Sequence, residues 1–314
     1  MAGRRTVRRS TLVGAVAGVL VLALAGCQTG TADDGGDTDA GSGDDVSDTG
    51  DLPEISGDGG TLVLQVHSAG GFVPWGYDFA SVPSLSVYAD GTAVVHGPTT
   101  LEYPGKALPN LQVVQLPDGA LEELVAAAVD AELLAPGPDY GMPNVADLPT
   151  TRETSAGGGE TYEHAAYALG AGPGEGVLDD GGMFGGGESG LTDEQSVARV
   201  ALAQFVQRAN ELVGPTGAEE SYAISALGVM AMPADPAATS GVEGVDVQVL
   251  PWPVGVALAD AGRCALVEGA DAQTLLATLA EANQLTQFEQ DGVTYQTWFR
   301  PLLPHETTCA DLAG

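Results

Sequence analysis

From Thr61 the chain alternates apolar and polar side chains (Thr-Leu-Val-Leu-Gln-Val-His67), the period of a half-buried strand. Ser84–Ala89 and Thr92–His96 flank Asp90-Gly91, and Leu85 and Val87 alternate with Ser84 and Ser86. An Asp-Gly pair between two such runs predicts a hairpin, because its turn matches the twist of paired strands. Leu111–Leu116 reads as a further strand. A helix is expected over 120–134, with Leu121, Leu124, Val125, Ala128 and Val129 on one apolar face, Asp118 as N-cap and Pro136-Gly137-Pro138 as its stop. Thr150–Thr154 and Thr161–Leu169 read as strands around Gly157–Gly159. A second amphipathic helix is expected from Thr192-Asp193-Glu194 to Leu212, with Val197, Val200, Ala201, Leu202, Phe205 and Leu212 inside.

The C-terminal third repeats the theme. Tyr222–Met232, Val245–Leu250 and Cys264–Val267 are expected strands, and Asp271 is read as the cap of a helix reaching Ala282. Phe288–Arg300 is read as a hairpin about Asp291-Gly292, with Trp298 and Phe299 in the core. Hairpins outnumber short-looped βαβ units, so the expected class is α+β: mostly antiparallel sheet or sheets, with two to three amphipathic helices packed on one face. The order strand, helix, hairpin occurs twice, which suggests a duplicated unit. The expected division is 61–215 for a first α+β unit and 216–314 for a second, joined in one domain or separate.

The N-terminus has a different pattern. Arg4, Arg5, Arg8 and Arg9 precede an uncharged run from Leu12 to Gly26, too short for the roughly 20 residues of a membrane-spanning helix. This is the layout of a signal peptide, here 1–26. Leu24-Ala25-Gly26-Cys27 resembles the lipobox of bacterial lipoproteins. The resemblance implies a diacylglyceryl group on Cys27, cleavage before it, and anchoring in the cell membrane on its extracytoplasmic face. Arg8-Arg9-Ser10-Thr11-Leu12 matches a twin-arginine export signal only in part. Residues 27–60 follow as lipidated cysteine and tether: Thr29–Gly60 is nearly all Gly, Asp, Ser, Thr and Ala, with ten acids and no base. Such a run buries too little to offset the entropy of ordering, and like charges extend it.

Charge narrows the partners. The whole chain carries 43 acidic and 10 basic residues. The four arginines of the signal leave with it, so Lys106, Arg152, Arg199, Arg208, Arg263 and Arg300 are the only cations that remain. That balance argues against nucleic acid, whose phosphates need Lys and Arg, and against flat docking on anionic lipid. Low Lys with abundant Ala, Gly and Val resembles uncharacterised lipoproteins of high-GC Gram-positive bacteria. With Cys27 spent on lipid, Cys264 and Cys309 remain, and outside the cytoplasm such a pair reads as a disulfide.

No catalytic signature stands out. Gly-x-Ser-x-Gly and His-Glu-x-x-His are absent, and His67, His96, His164 and His305 occur singly. No catalytic or metal-binding residue is assigned. The only cofactor the pattern offers is a weak calcium site around Asp179, Asp180, Asp193 and Glu194, whose spacing is not that of an EF-hand. Trp75 and Tyr77, and Trp252 between two prolines, are the expected ligand-binding loops, because exposed aromatics are frequent hot spots. The pattern therefore favours a non-catalytic binding or envelope-accessory domain taking a protein, glycan or small ligand. The alternative is a hydrolase whose paired carboxylates lie far apart in sequence.

Overall fold

The computed structural model describes residues 52–171, 190–214, 219–235 and 244–312. Cys27, the signal, the tether before Leu52, and Asp179 and Asp180 lie outside the described residues. The protein is α+β; the described residues form two largely antiparallel sheets, the one-turn helix α1 (Tyr77–Ala80) and three helices of two or more turns.

The first sheet has seven strands in the order β6-β5-β1-β2-β3-β4-β7, every pair antiparallel. They are β1 (Leu62–Ala69), β2 (Leu85–Tyr88), β3 (Thr92–His96), β4 (Leu111–Gln115), β5 (Thr150–Gly157), β6 (Glu160–Tyr167) and β7 (Glu220–Ser221). Two expected hairpins close here, β2–β3 about Asp90-Gly91 and β5–β6 about Gly158-Gly159. Leu64 and Val66 of β1, Leu85 and Val87 of β2 and Ala93 of β3 form a core with α2 (Ala120–Asp130) and α3 (Asp193–Leu212), through Leu124, Ala128, Leu202, Phe205 and Ala209. The period-2 pattern put these strand residues on one face, and the 3.6 period put the helix residues opposite them.

The second sheet runs β10-β8-β12-β11-β9, from β8 (Ala226–Pro233), β9 (Val249–Pro251), β10 (Ala265–Glu268), β11 (Gln287–Gln290) and β12 (Val293–Pro301). Only the β9–β11 pair is parallel. Its core joins Leu227, Val229, Phe288 and Phe299 to Ala272, Leu275 and Leu279 of α4 (Gly269–Leu279). Residues beyond 215 also serve the first sheet. β7 extends its edge, and Leu303 of the tail packs against Tyr88, Val94 and Leu111 on the face away from the helices. The expected disulfide is present, Cys264 to Cys309 with Cα atoms 5.9 Å apart, and it ties this tail to the start of β10.

Three expectations about helix ends are corrected. α2 stops at Asp130 rather than 134. Glu132 is left-handed (φ 58°), its N–H donates to Val129 O, and the Leu133 N–H donates to Ala128 O. This double bond pattern closes a helix and here buries Leu133 completely. The N-cap is Gly119 (φ 81°), with no side-chain bond from Asp118. α4 begins at Gly269, ahead of Asp271, which lies in the first turn, where the helix dipole favours a carboxylate. α3 opens at Thr192 as expected, and the Thr192 side chain caps it, with a reciprocal bond pair to Gln195. Among the described residues no helix is long and apolar enough to cross a membrane.

Candidate functional site

Two residues expected inside are not. Val129 of α2 is 42% exposed and Val197 of α3 is 70% exposed. Both line one groove of about 1100 Å³, where the end of α2 and the first half of α3 leave the core uncovered. Leu134, Ala135, Pro136 and Pro138 form one wall, Val197, Ala198 and Ala201 another, and Tyr140, Tyr162 and Gly157 complete it. Pro53 also lines it, so the end of the expected tether lies against the body.

The proline wall is held from beneath. His164 of β6 is buried, and its Nε2 lies 3.1 Å from Leu133 O. A carbonyl only accepts, so Nε2 carries the proton and Nδ1 accepts from the Tyr140 hydroxyl at 2.7 Å. This pins both ends of the 133–140 segment to the sheet. Asp139 Oδ2 then accepts from Gln195 Nε2 at 2.9 Å, tying the segment to the start of α3. Arg199, fully buried, donates to Tyr167 O and Ala168 O at 2.9 and 2.8 Å and fixes α3 on the sheet. An Arg among expected core positions and a lone His gave no sequence signal of this role. Both act through backbone carbonyls that only the fold brings near.

The rim is acidic. Asp130 and Glu132 line it from the end of α2, Asp193 and Glu194 from the start of α3, and no Lys, Arg or His is among the described lining residues. Asp193 and Glu194 occupy the first turn of α3, where the dipole favours them. Asp130 and Glu132 stand at the opposite pole, the C-terminal end of α2, whose last turn has no basic residue.

The expected aromatic loops separate. Trp75 and Tyr77 are more than half exposed, with Phe72 beside them in sequence at 88%. Trp75 packs edge-on against Trp298, centroids 4.8 Å apart. Gly76 sits so close that an added Cβ would meet the Trp298 ring at 2.3 Å. Trp298 is therefore half-buried under this loop, on the face of β12 away from Phe299, rather than in the core. Trp252 is a correction: it is buried, stacks on Phe299 and meets Phe288 edge-on. Its indole N–H is satisfied by Val256 O at 2.8 Å. The flanking prolines shape a loop that plugs the second core, and the Trp252 ring is spent on that packing.

A smaller polar cleft lies on the other face of the first sheet, between His67, Ser81, Arg152 and the tail residues Glu306 and Asp311. His67 Nε2 is 3.2 Å from Ser81 Oγ, the separation of a nucleophile and its base. Burial, reinforced by Arg300 and Arg152, pushes His67 down to about 4, which makes it a poor base at neutral pH. The nearby Asp78 spends Oδ1 on the Gly70 N–H. Two buried carboxyls are raised by burial, Glu153 to about 8 and Glu306. They do not face each other: Glu153 accepts from Ser155 beneath α2 and α3, and Glu306 pairs with Arg300 in the tail. Among the described residues no three His, Cys, Asp or Glu side chains cluster to hold a metal ion.

No family model, curated protein or solved structure matches this chain. The assignment of function therefore rests on the groove and on the N-terminal sequence.

Proposed function

We propose that this protein is a lipid-anchored extracytoplasmic binding domain, held to the cell membrane through Cys27, that takes an apolar ligand in the groove between α2 and α3. The observation that carries the ligand site is the exposure of Val129 and Val197 in one concavity. Large apolar side chains left uncovered in a cleft of small-molecule size mark binding sites, because the ligand supplies the burial the fold withholds. The lipobox-like Leu24–Cys27 supports the anchor. Two acyl chains give lasting attachment where one gives marginal binding.

Each half has its own test. Wild-type protein is expected to sediment with membranes and the Cys27→Ser variant to appear in the soluble fraction. A variant that still sediments defeats the anchor. For the groove, the neutral solvatochromic dye Nile red is titrated into the mature chain from residue 27 carrying Cys27→Ser. Saturable blue-shifted fluorescence is expected, and Val197→Asp, at an exposed position that tolerates charge, abolishes it. Dye binding indifferent to Val197→Asp places the ligand site elsewhere.

A further inference from the structure

Resting on the groove reading, we propose that the ligand is an amphiphilic cation, with its apolar body along the proline wall and α3 and its positive head at the C-terminal end of α2. Apolar lining alone selects nothing beyond hydrophobicity. What selects is the electrostatic arrangement at the α2 end.

The last turn of a helix exposes carbonyls and carries about half a negative charge, so natural sequences place Lys, Arg or His there. α2 has none; Asp130 and Glu132 add two carboxylates to the same pole. Glu132 holds the left-handed position (φ 58°) that glycine fills without strain. Neither residue has a basic neighbour among the described lining residues, and in a chain with 43 acids and 10 bases long-range charge worsens the imbalance. The pair at the start of α3 is explained by its dipole, whereas the pair at the end of α2 is opposed by its own. A bound ammonium or guanidinium group next to Asp130 and Glu132 supplies the missing positive charge. A carboxylate, sulfate or phosphate head would meet two carboxylates and a negative helix pole. The volume, about 1100 Å³, sits just above the usual ~300–1,000 Å³ of small-molecule pockets.

The test uses three ten-carbon probes that differ only in the head: decylamine (a cation at pH 7), decanol and decanoate. Each displaces Nile red from the mature chain carrying Cys27→Ser, below the concentration at which the probe aggregates. Decylamine is expected to bind about tenfold tighter than decanol, as two partly screened charge pairs would give, and decanoate more weakly than decanol. Raising salt narrows the gap. The double variant Asp130→Asn, Glu132→Gln brings decylamine to the affinity of decanol and leaves decanol unchanged. Equal affinity of decylamine and decanol for the wild type, with Nile red binding itself lost in Val197→Asp, overturns the charge inference and keeps the groove. Preference for decanoate overturns it likewise. Displacement by none of the three, or Nile red binding unaffected by Val197→Asp, overturns the groove reading and this inference together.

Discussion

Arg300 and Glu306 form a buried ion pair, Nη2 to Oε1 2.7 Å, that joins the last strand of the second sheet to the tail lying on the first. Arg300 also donates to Pro301 O, and the second Glu306 oxygen accepts from the Leu303 N–H at 2.7 Å. Both partners are almost wholly out of water, and burial pushes Glu306 up and Arg300 down, against the charged forms. The pair is held by mutual compensation, so losing one partner matters more than losing both. Glu306→Leu is expected to cost about 3–5 kcal/mol. The double variant Arg300→Met, Glu306→Leu is expected to recover most of that loss in urea denaturation. A double variant as unstable as the single one would show that the pair is not the cause.

The disulfide restrains the same tail. It closes a sequence separation of 45 residues, which on the loop-entropy model stabilises the fold by about 4 kcal/mol. The double variant Cys264→Ser, Cys309→Ser is expected to lower the melting temperature and to raise amide exchange first in Leu302–Leu312. That segment packs on Tyr88 through His305, whose Nδ1 lies 3.1 Å from the Tyr88 hydroxyl. Exchange that rises evenly over the whole unit would mean the bridge does not act on the tail in particular.

Stability should peak near pH 6.5, for reasons set by three buried groups. Burial pushes Glu153 up to about 8 from an ordinary value of 4.5, and its Oε2 has no partner. The native state then holds a proton that the unfolded chain releases, so stability declines as pH rises from about 4.5 to about 8. Burial pushes His67 and His305 down to about 4 from 6.5, so the unfolded chain takes up protons first and stability declines as pH falls from 6.5 to 4. Two histidines lose stability toward acid where Glu153 gains it, so they outweigh Glu153 below 6.5, and above it the raised carboxyl governs the decline. Glu153→Gln is expected to remove the alkaline decline in chemical denaturation across pH 5–9. An unchanged decline would assign it to other groups.

The α+β class and most strand positions were legible in the sequence because each rests on a local period. The Asp90-Gly91 hairpin and the start of α3 at Thr192 are decided within a few residues. What was not legible depends on tertiary placement. Trp252 in a Pro-bounded loop has the same local pattern as Trp75, yet one plugs a core and the other is exposed. Val129 and Val197 fit the buried faces of their helices by periodicity, yet both line the groove beside the early stop at Glu132. That stop had no sequence signal, because a glutamate at a left-handed position breaks the usual Gly rule. The acids of the groove rim were hidden among 43, and their meaning comes from which helix pole each occupies.

Glu132 therefore links stability to binding. A non-glycine residue at φ 58° costs about 1 kcal/mol relative to glycine, so Glu132→Gly is expected to raise stability by about that amount, plus the relief of one carboxylate at a negative helix pole. The same substitution removes one of the two carboxylates proposed to receive a cationic head, so decylamine should bind several-fold more weakly while decanol is unaffected. Glu132→Asn separates the two effects, since Asn tolerates the left-handed region yet lacks the charge. It should keep part of the stability gain and lose the same affinity. If Glu132→Gly stabilises the fold and leaves decylamine affinity intact, the left-handed glutamate is a matter of helix termination alone, and Asp130 with the helix pole must account for any charge preference.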